Sequence, residues 1–474
     1  MHSSLAFILN KCISNECFPD SLKMAEICPI FKKKDCLSKE NYRSVNILAA
    51  ASKIFERIMA DQIITYFNSI LSSSVSAYRK GYNCQHVILK LTEYWRKSLD
   101  ENKMIGTVAM DLSKAFDTMP HALLIAKLYA YGLSENACNV LLSYLKNRFQ
   151  RVKVMGKQSD WVTINRGVPQ GSVLGPLLFN IFLNDLFFSD ITSPIANYAD
   201  DNHIYNSNID FDILIHVLEK DTALAIKWFN NNYMNANAEK FQWMIMNRKG
   251  SISSPLSINN IILSSEDCLN VLGITLDAKL KFDDYISKIS KKAAQQVNIL
   301  QRLSKYLSFE SRLLAYNSFV TSNFKYCPVA WMFCGKVNLK KIEKIQERAL
   351  RFVYRDTSSS YEELLKRGQF LSLSMFRIYF LAIEVYKCMR GLNPPYLNEL
   401  FKQREMHYPL RNSDILEQSK FNTFTFGYKS FSYYGAKVWN ALNPCIKQSE
   451  NLNSFKRELK NWCLRSDACK IIDF

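Results

Sequence analysis

The sequence predicts an α+β protein, and three observations predict it. Apolar runs of strand length end in acids, at Met104–Asp111 and at Ala196-Asn197-Tyr198-Ala199-Asp200-Asp201. Segments of helical period stand between and after these runs. From about Asp284 the composition shifts to basic helical sequence, which marks a separate region.

At 474 residues the chain has room for two or three domains. Hydrophobic residues at 48% with 22% charged exclude wholesale disorder. Lys and Arg number 61 against 43 Asp and Glu, a net charge of +18 with a pI near 9.2. That excess points to a polyanionic partner, nucleic acid first and an anionic membrane surface second. The 7 Trp, 24 Tyr and 30 Phe add stacking capacity for unpaired bases beside their role in cores. The 13 cysteines are scattered without a C-x-x-C, so no zinc site is expected. The run Leu5–Leu9 is too short for a secretory signal, and no 18-residue apolar stretch occurs. A soluble, intracellular, basic protein with reduced thiols is expected.

In chain order, Ile27–Phe31 reads as a strand running into the cationic turn Lys32-Lys33-Lys34-Asp35, and Asn41–Leu48 as a second strand. Lys and Arg on one rim of such a pair suit a triphosphate, because guanidinium binds phosphate oxygens bidentately. Arg43 is the candidate there, whereas Lys33 and Lys34 read as a solvated cluster. A helix is predicted over Ser52 to Phe67 with Ile54, Ile58, Ile63 and Phe67 on its apolar face. A basic loop, Ser76–Gly81, precedes a second helix through Val87, Leu91 and Trp95.

The strand Met104–Met110 then ends at Asp111. A carboxylate at the end of a buried strand is costly unless it is hydrogen-bonded or holds a metal. Asp200 and Asp201 sit at a predicted β-hairpin tip, where a tight turn can bring both acids toward one point. Hard divalent ions take oxygen ligands, and Mg²⁺ usually rests on one or two carboxylates plus substrate phosphates. Asp111 is therefore the candidate third carboxylate. Phe116, five residues on, is either a core ring or one lying under a nucleotide sugar, where it would exclude the 2′-hydroxyl. Asp117 reads as a loop-fixing residue or cap.

Gly167-Val168-Pro169-Gln170-Gly171 is a punctuated loop leading into a helix with Leu174, Leu177, Leu178, Ile181 and Phe182 on its apolar face. Gly167 and Gly171 would let backbone approach a ligand, and Gln170 would hydrogen-bond a base or sugar. A helix over 212–232 presents Leu214, Val217, Leu218, Leu224 and Trp228. A polar turn ending at Lys240, the strand Phe241–Met246 and a strand Val271–Asp277 follow. The basic helical region carries Lys288, Lys291, Lys292, Arg302, Lys340, Lys341, Lys344, Arg348 and Arg351. These residues either grip a duplex backbone or form a solvated face.

This order of motifs resembles the reverse transcriptase palm, and more narrowly the polymerase of non-LTR (LINE-type) retrotransposons. Asp111-Leu112-Ser113-Lys114-Ala115-Phe116-Asp117, Gly167 through Asn180 and Tyr198-Ala199-Asp200-Asp201 carry the resemblance. It implies a right-hand fold: a lead-in over 1–25, fingers and palm over 26–276, a helical basic thumb over 277–356 and a mainly helical region over 357–474. It implies an RNA-directed DNA polymerase using two Mg²⁺ ions, with Mn²⁺ as a substitute, on Asp111, Asp200 and Asp201. Phe116 would be the sugar gate, Lys32 and Arg43 would face the triphosphate, and Gln170 and Gly171 would line nucleotide and template. Lys240 would lie near the pyrophosphate. Lys288, Lys291, Lys292, Arg348 and Arg351 would bind nucleic acid. The implied partners are an RNA template, a DNA primer or target, dNTPs and a separate endonuclease, which this chain is expected to lack. No membrane partner is implied. The implied location is nucleus and cytoplasm, as a ribonucleoprotein. One departure is Ser44, where the family usually has Pro after the arginine of Asn-Tyr-Arg; it should loosen a turn. The rival readings are an inactive remnant of such an element and a non-enzymatic nucleic-acid-binding protein.

Overall fold

The computed structural model describes residues 2–32, 35–404 and 415–465. Lys33 and Lys34 lie outside the described residues. At the centre stands an antiparallel sheet in the order Gly250–Ser251, Gln242–Asn247, Met104–Met110, Asp201–Asn208, Ile195–Tyr198. Successive side chains of a strand face opposite ways, and both faces of this sheet are covered. Trp243, Ile245, Val108, Met110 and Ile204 enter one core with the helices Ala50–Phe67, Leu174–Leu183 and Phe211–Asn231. Met244, Met246, Ile105 and Tyr205 enter a second core on the other face. This double burial explains the almost unbroken apolar run of the Met104–Met110 strand.

A second sheet stands beside the first. Met24–Phe31 pairs antiparallel with Tyr42–Ile47 and parallel with Arg148–Val154. Ser44 sits mid-strand opposite Pro29, so the turn expected at this position does not exist. On the helix Ala50–Phe67, Ile63 and Phe67 are buried as expected, joined by Phe55 and Met59, while Ile54 and Ile58 are exposed. Glu56 is fully buried on the same side, and its carboxylate accepts from the backbone N–H groups of Val173 (2.7 Å) and Leu174 (3.2 Å). Leu174–Leu183 is likewise buried all round, including Phe179, Asn180 and Leu183, because it lies inside the first core. On Phe211–Asn231, Leu214 and Leu218 are buried as expected, with Ala225, Ile226 and Phe229 completing the face; Val217, Leu224 and Trp228 are only partly covered.

The strand expected over Val271–Asp277 is instead a hairpin of Cys268–Val271 and Ile274–Asp277. Leu272 and Gly273, both at positive φ, make its two-residue turn, the backbone a tight right-twisted hairpin requires.

Beyond it, Asp283–Leu303 packs on Lys336–Tyr354 to form the basic helical unit. The following helices do not stand apart. Leu373–Met389, Phe431–Ala441 and Leu452–Arg465 share the second core with the thumb helices and the palm helix Cys84–Asp100. Two buried acids of that palm helix hold them. Glu93 accepts from the N–H groups of Phe431 (2.7 Å) and Ser432 (2.9 Å). Asp100 accepts from the N–H groups of Asn422 and Thr423 and from the Thr423 hydroxyl. No single described helix is long and apolar enough to cross a membrane.

Candidate active site

Register places Asp111 at the same end of the sheet as Asp200 and Asp201. Met110 pairs with Asn202 and Tyr198 with Asp201, so Asp111 leaves its strand beside the tip that carries Asp200 and Asp201. The two-residue turn is Ala199-Asp200, and Ala199 has φ +55. A non-glycine residue in the left-handed region costs roughly 1–2 kcal/mol, so something must hold it. Asn197 and Asn202, a fully buried cross-strand pair, do so. Asn197 Nδ2 donates to the Ala199 carbonyl (2.7 Å) and to Asn202 Oδ1 (2.9 Å), and Asn202 Nδ2 donates to the Asp200 carbonyl (3.1 Å).

The carboxylates interact strongly. Burial, then the charges of Asp200 and Asp111, push the Asp201 carboxyl up to about 6. Asp200 is raised by burial and by Asp111, while Arg43 and Lys32 pull it down. Like charges held together this way favour a bound cation or a proton. Among the described residues, no three His, Cys, Asp or Glu side chains already stand together as a metal cage. What is present is a hard oxygen donor set facing cationic side chains, which suits a divalent ion that arrives with phosphate oxygens of its own.

Lys32 and Arg43, from the sheet of Met24–Phe31 and Tyr42–Ile47, act on Asp200. Arg43 lies opposite Ile30 in the strand pair, the Lys32 N–H donates to the Asn41 carbonyl (2.8 Å), and both side chains are exposed. Lys32 also acts on Asp117, where desolvation raises the carboxyl and Gln170, Lys114 and Lys32 oppose it. Phe116 is half-buried; its ring stacks on Phe179 with centroids 4.2 Å apart and meets Tyr78 edge-on at 6.3 Å.

The Pro-Gln-Gly loop is fixed from three sides. Gln170 Nε2 donates to Asp117 Oδ1 (3.0 Å), and the Gln170 carbonyl accepts from the Asn46 N–H (2.6 Å). A Cβ at Gly167 would stand 2.6 Å from the Asp117 Cα and the Phe116 carbonyl; one at Gly171 would stand 2.6 Å from the Asn46 carbonyl. Both glycines are at positive φ. Both glycines thus approach other segments of this chain closely, Gly167 the Phe116-Asp117 backbone and Gly171 the Asn46 carbonyl. They tie the Asp117 turn to the fingers strand that bears Arg43.

Other expected residues lie further out. Lys240 is exposed on the turn after Asn235–Ala236, which pairs with Leu112–Ser113 just beyond Asp111. Lys288, Lys291 and Lys292 are exposed on one thumb helix. Arg348 instead donates to Asn298, and Arg351 pairs with Glu347 at 2.7 Å, so these two are engaged within the thumb. Sequence reasoning missed Asn197, Glu56 and Tyr78. The first had a legible signal, an Asn on each side of a strained two-residue turn; the other two act through tertiary contacts.

One end of the central sheet thus carries paired acids on a hairpin and a third on the neighbouring strand, with Lys32 and Arg43 acting on Asp200 from the Met24–Phe31 sheet. A family model described as reverse transcriptase (RNA-dependent DNA polymerase) matches residues 31–276. The chain belongs to the reverse transcriptase family. It is 29% identical over 371 residues to the probable RNA-directed DNA polymerase from transposon BS of Drosophila melanogaster, covering 74% of this chain and 40% of that protein. The RNA-directed DNA polymerase from mobile element jockey of the same fly is 27% identical, covering 73% and 39%. The chain thus spans about two fifths of the length of these curated relatives. Among solved structures, apo telomerase from Candida tropicalis aligns over 82% of this chain and 68% of its own, at 12% identity and a TM-score of 0.42.

Proposed function

We propose that the chain is the RNA-directed DNA polymerase portion of a non-LTR retrotransposon protein, extending a DNA 3′-hydroxyl on an RNA template. The observation that carries this reading is the coupling of Asp111, Asp200 and Asp201 at one sheet end, opposed by Lys32 and Arg43. Two divalent ions, Mg²⁺ or Mn²⁺, would be held by these carboxylates and would supply Lewis-acid activation of the attacking hydroxyl and charge neutralisation at the triphosphate. Lys32 and Arg43 orient the triphosphate in line with that hydroxyl, a positioning role that dominates phosphoryl transfer. Lys240 approaches the leaving pyrophosphate. Phe116, seated on Phe179, closes the sugar side against a 2′-hydroxyl. Gln170, held by Asp117 and Asn46, offers its loop, with Gly171, to the nucleotide and template. Lys288, Lys291 and Lys292 present charge to the duplex backbone, and Arg348 and Arg351 brace that face. The substrates are dNTPs, template RNA and primer DNA, met in nucleus and cytoplasm as a ribonucleoprotein, with a separate endonuclease opening the target.

The test is primer extension on an RNA template with Mg²⁺ and dNTPs, run beside Asp200→Ala. Metal-dependent extension that is lost in the variant is expected. A folded wild-type chain that binds template but adds no nucleotide would overturn the reading.

A further inference from the structure

One exposed ring beside the site has a costly backbone and firmly held neighbours. Tyr78 has φ +57, a left-handed conformation unfavourable for an aromatic residue, and its side chain is 56% exposed. A loose surface loop would relax out of that conformation. This loop cannot, because each flank is pinned. Ser76 and Ala77 are buried, and the Ala77 carbonyl accepts from Nδ2 of Asn180, which is fully buried in the helix after the Pro-Gln-Gly loop (2.7 Å). Val75 bridges to Asn197, the residue that locks the Asp200 turn. Arg79 Nη1 donates back to the carbonyls of Ser72 (2.7 Å) and Val75 (3.2 Å). The loop is thus welded to the catalytic hairpin and to the central helix, and strain held by such surroundings marks a functional position.

The ring has a definite place. It meets Phe116 edge-on, 88° between planes, while Phe179 stacks beneath Phe116. Its phenol end lies within the fields of Asp200 and Arg43: desolvation raises the phenol's pKa, Asp200 raises it further and Arg43 opposes. Tyr78 therefore touches the Phe116 ring, while its phenol end feels both Asp200 and Arg43.

We infer that Tyr78 is a positioning residue for sugar selection: held rigid by Asn180 and the catalytic hairpin, its ring braces Phe116 so that the nucleotide pocket admits a deoxyribose and rejects a ribose. The inference deepens the polymerase reading and rests on it. An edge-to-face pair tolerates little sliding, so removing one ring frees the other to swing aside and make room for a 2′-hydroxyl.

The experiment measures single-nucleotide extension on an RNA template, comparing kcat/KM for a dNTP with that for the matching rNTP. It uses the full chain as wild type, Tyr78→Phe and Tyr78→Ala, with Tyr78→Leu as a second truncation should the alanine variant not fold. Tyr78→Phe is expected to keep the dNTP/rNTP ratio within about twofold, because the ring remains. The truncation is expected to lower that ratio by about 3- to 10-fold while the thermal midpoint stays close to wild type. A merely structural residue would lower both substrates' rates together. An unchanged ratio in a folded, active truncation would overturn this inference and leave the polymerase reading standing. A wild-type chain that extends nothing would overturn both.

Discussion

Asn197 and Asn202 face each other across the base of the catalytic hairpin, fully buried, and between them bond the carbonyls of both turn residues, Ala199 and Asp200. The pair converts a strained two-residue turn into a fixed platform for the two acids. Asn202→Ala should destabilise the protein by about 1–3 kcal/mol, the usual cost of stranding a buried polar partner. Denaturant unfolding of the two single variants and the Asn197→Ala/Asn202→Ala double should give a coupling of about 0.5–3 kcal/mol. Additive costs would mean that the two side chains hold the turn independently.

Glu56 makes a second prediction. Its buried carboxylate caps the N-terminus of Leu174–Leu183 and accepts from Ser52 Oγ (2.9 Å) and the Tyr144 hydroxyl (3.3 Å). Glu56→Ala should cost about 2–4 kcal/mol, since a charged acceptor and a helix cap vanish together. Glu56→Gln should restore part of this. A thermal melt of the three proteins gives the order; equal stability of the alanine variant and wild type would contradict the capping role.

Phe116 gives the direct test of the proposed sugar gate. Phe116→Ala should raise ribonucleotide incorporation relative to dNTP by roughly 10- to 100-fold, the scale on which pockets discriminate a single hydroxyl by shape. Steady-state kcat/KM ratios read it out.

His203 makes stability depend on pH. It lies in the hairpin strand, with neither ring nitrogen hydrogen-bonded among the described residues, and burial pushes its pKa down to about 4. The unfolded imidazole titrates near 6.5. Below that pH the unfolded state takes up the proton and the folded state does not. The His203 contribution is therefore fully present above about 6.5 and is lost progressively as pH falls toward 4. Between pH 7.5 and 5 the loss is on the order of 2 kcal/mol. Urea unfolding of wild type and His203→Phe at both values should show that the variant lacks this part of the slope.

The continuity of the second core predicts that residues 357–465 cannot be removed cleanly. Truncation after Asp356 would uncover the thumb and palm surfaces on which Ile378, Leu381, Trp439 and Phe455 are buried. The shortened chain should be insoluble or bind a hydrophobic dye. Asp100→Ala in the full chain should cost on the order of 3 kcal/mol, because its three accepted bonds anchor the Asn422–Thr423 segment.

The local chemistry of the site was legible in the sequence because strand period and turn composition are local properties. Apolar runs ending in Asp111, Asp200 and Asp201 gave the strands and the hairpin, and the motifs gave the family. The buried face of Ala50–Phe67 was legible only in part: Ile63 and Phe67 are buried, but Ile54 and Ile58 are exposed. That Glu56 is buried on this helix was not legible, because its partners lie in a loop more than 110 residues away. The two glycines of the Pro-Gln-Gly loop were recognisable as close-approach points, but only the packing shows that Asn46 and the Phe116-Asp117 backbone are what they approach.

The sequence by itself determined the apolar strands that end in Asp111 and in Asp200-Asp201, and the motifs that mark the family, because each is written in residue type and period. The tertiary structure alone decided that the C-terminal helices complete the second core beside the central sheet and that Tyr78 stands against Phe116. Those outcomes depend on contacts between segments tens to hundreds of residues apart, whose energies come from burial and fixed hydrogen bonds that no local pattern encodes.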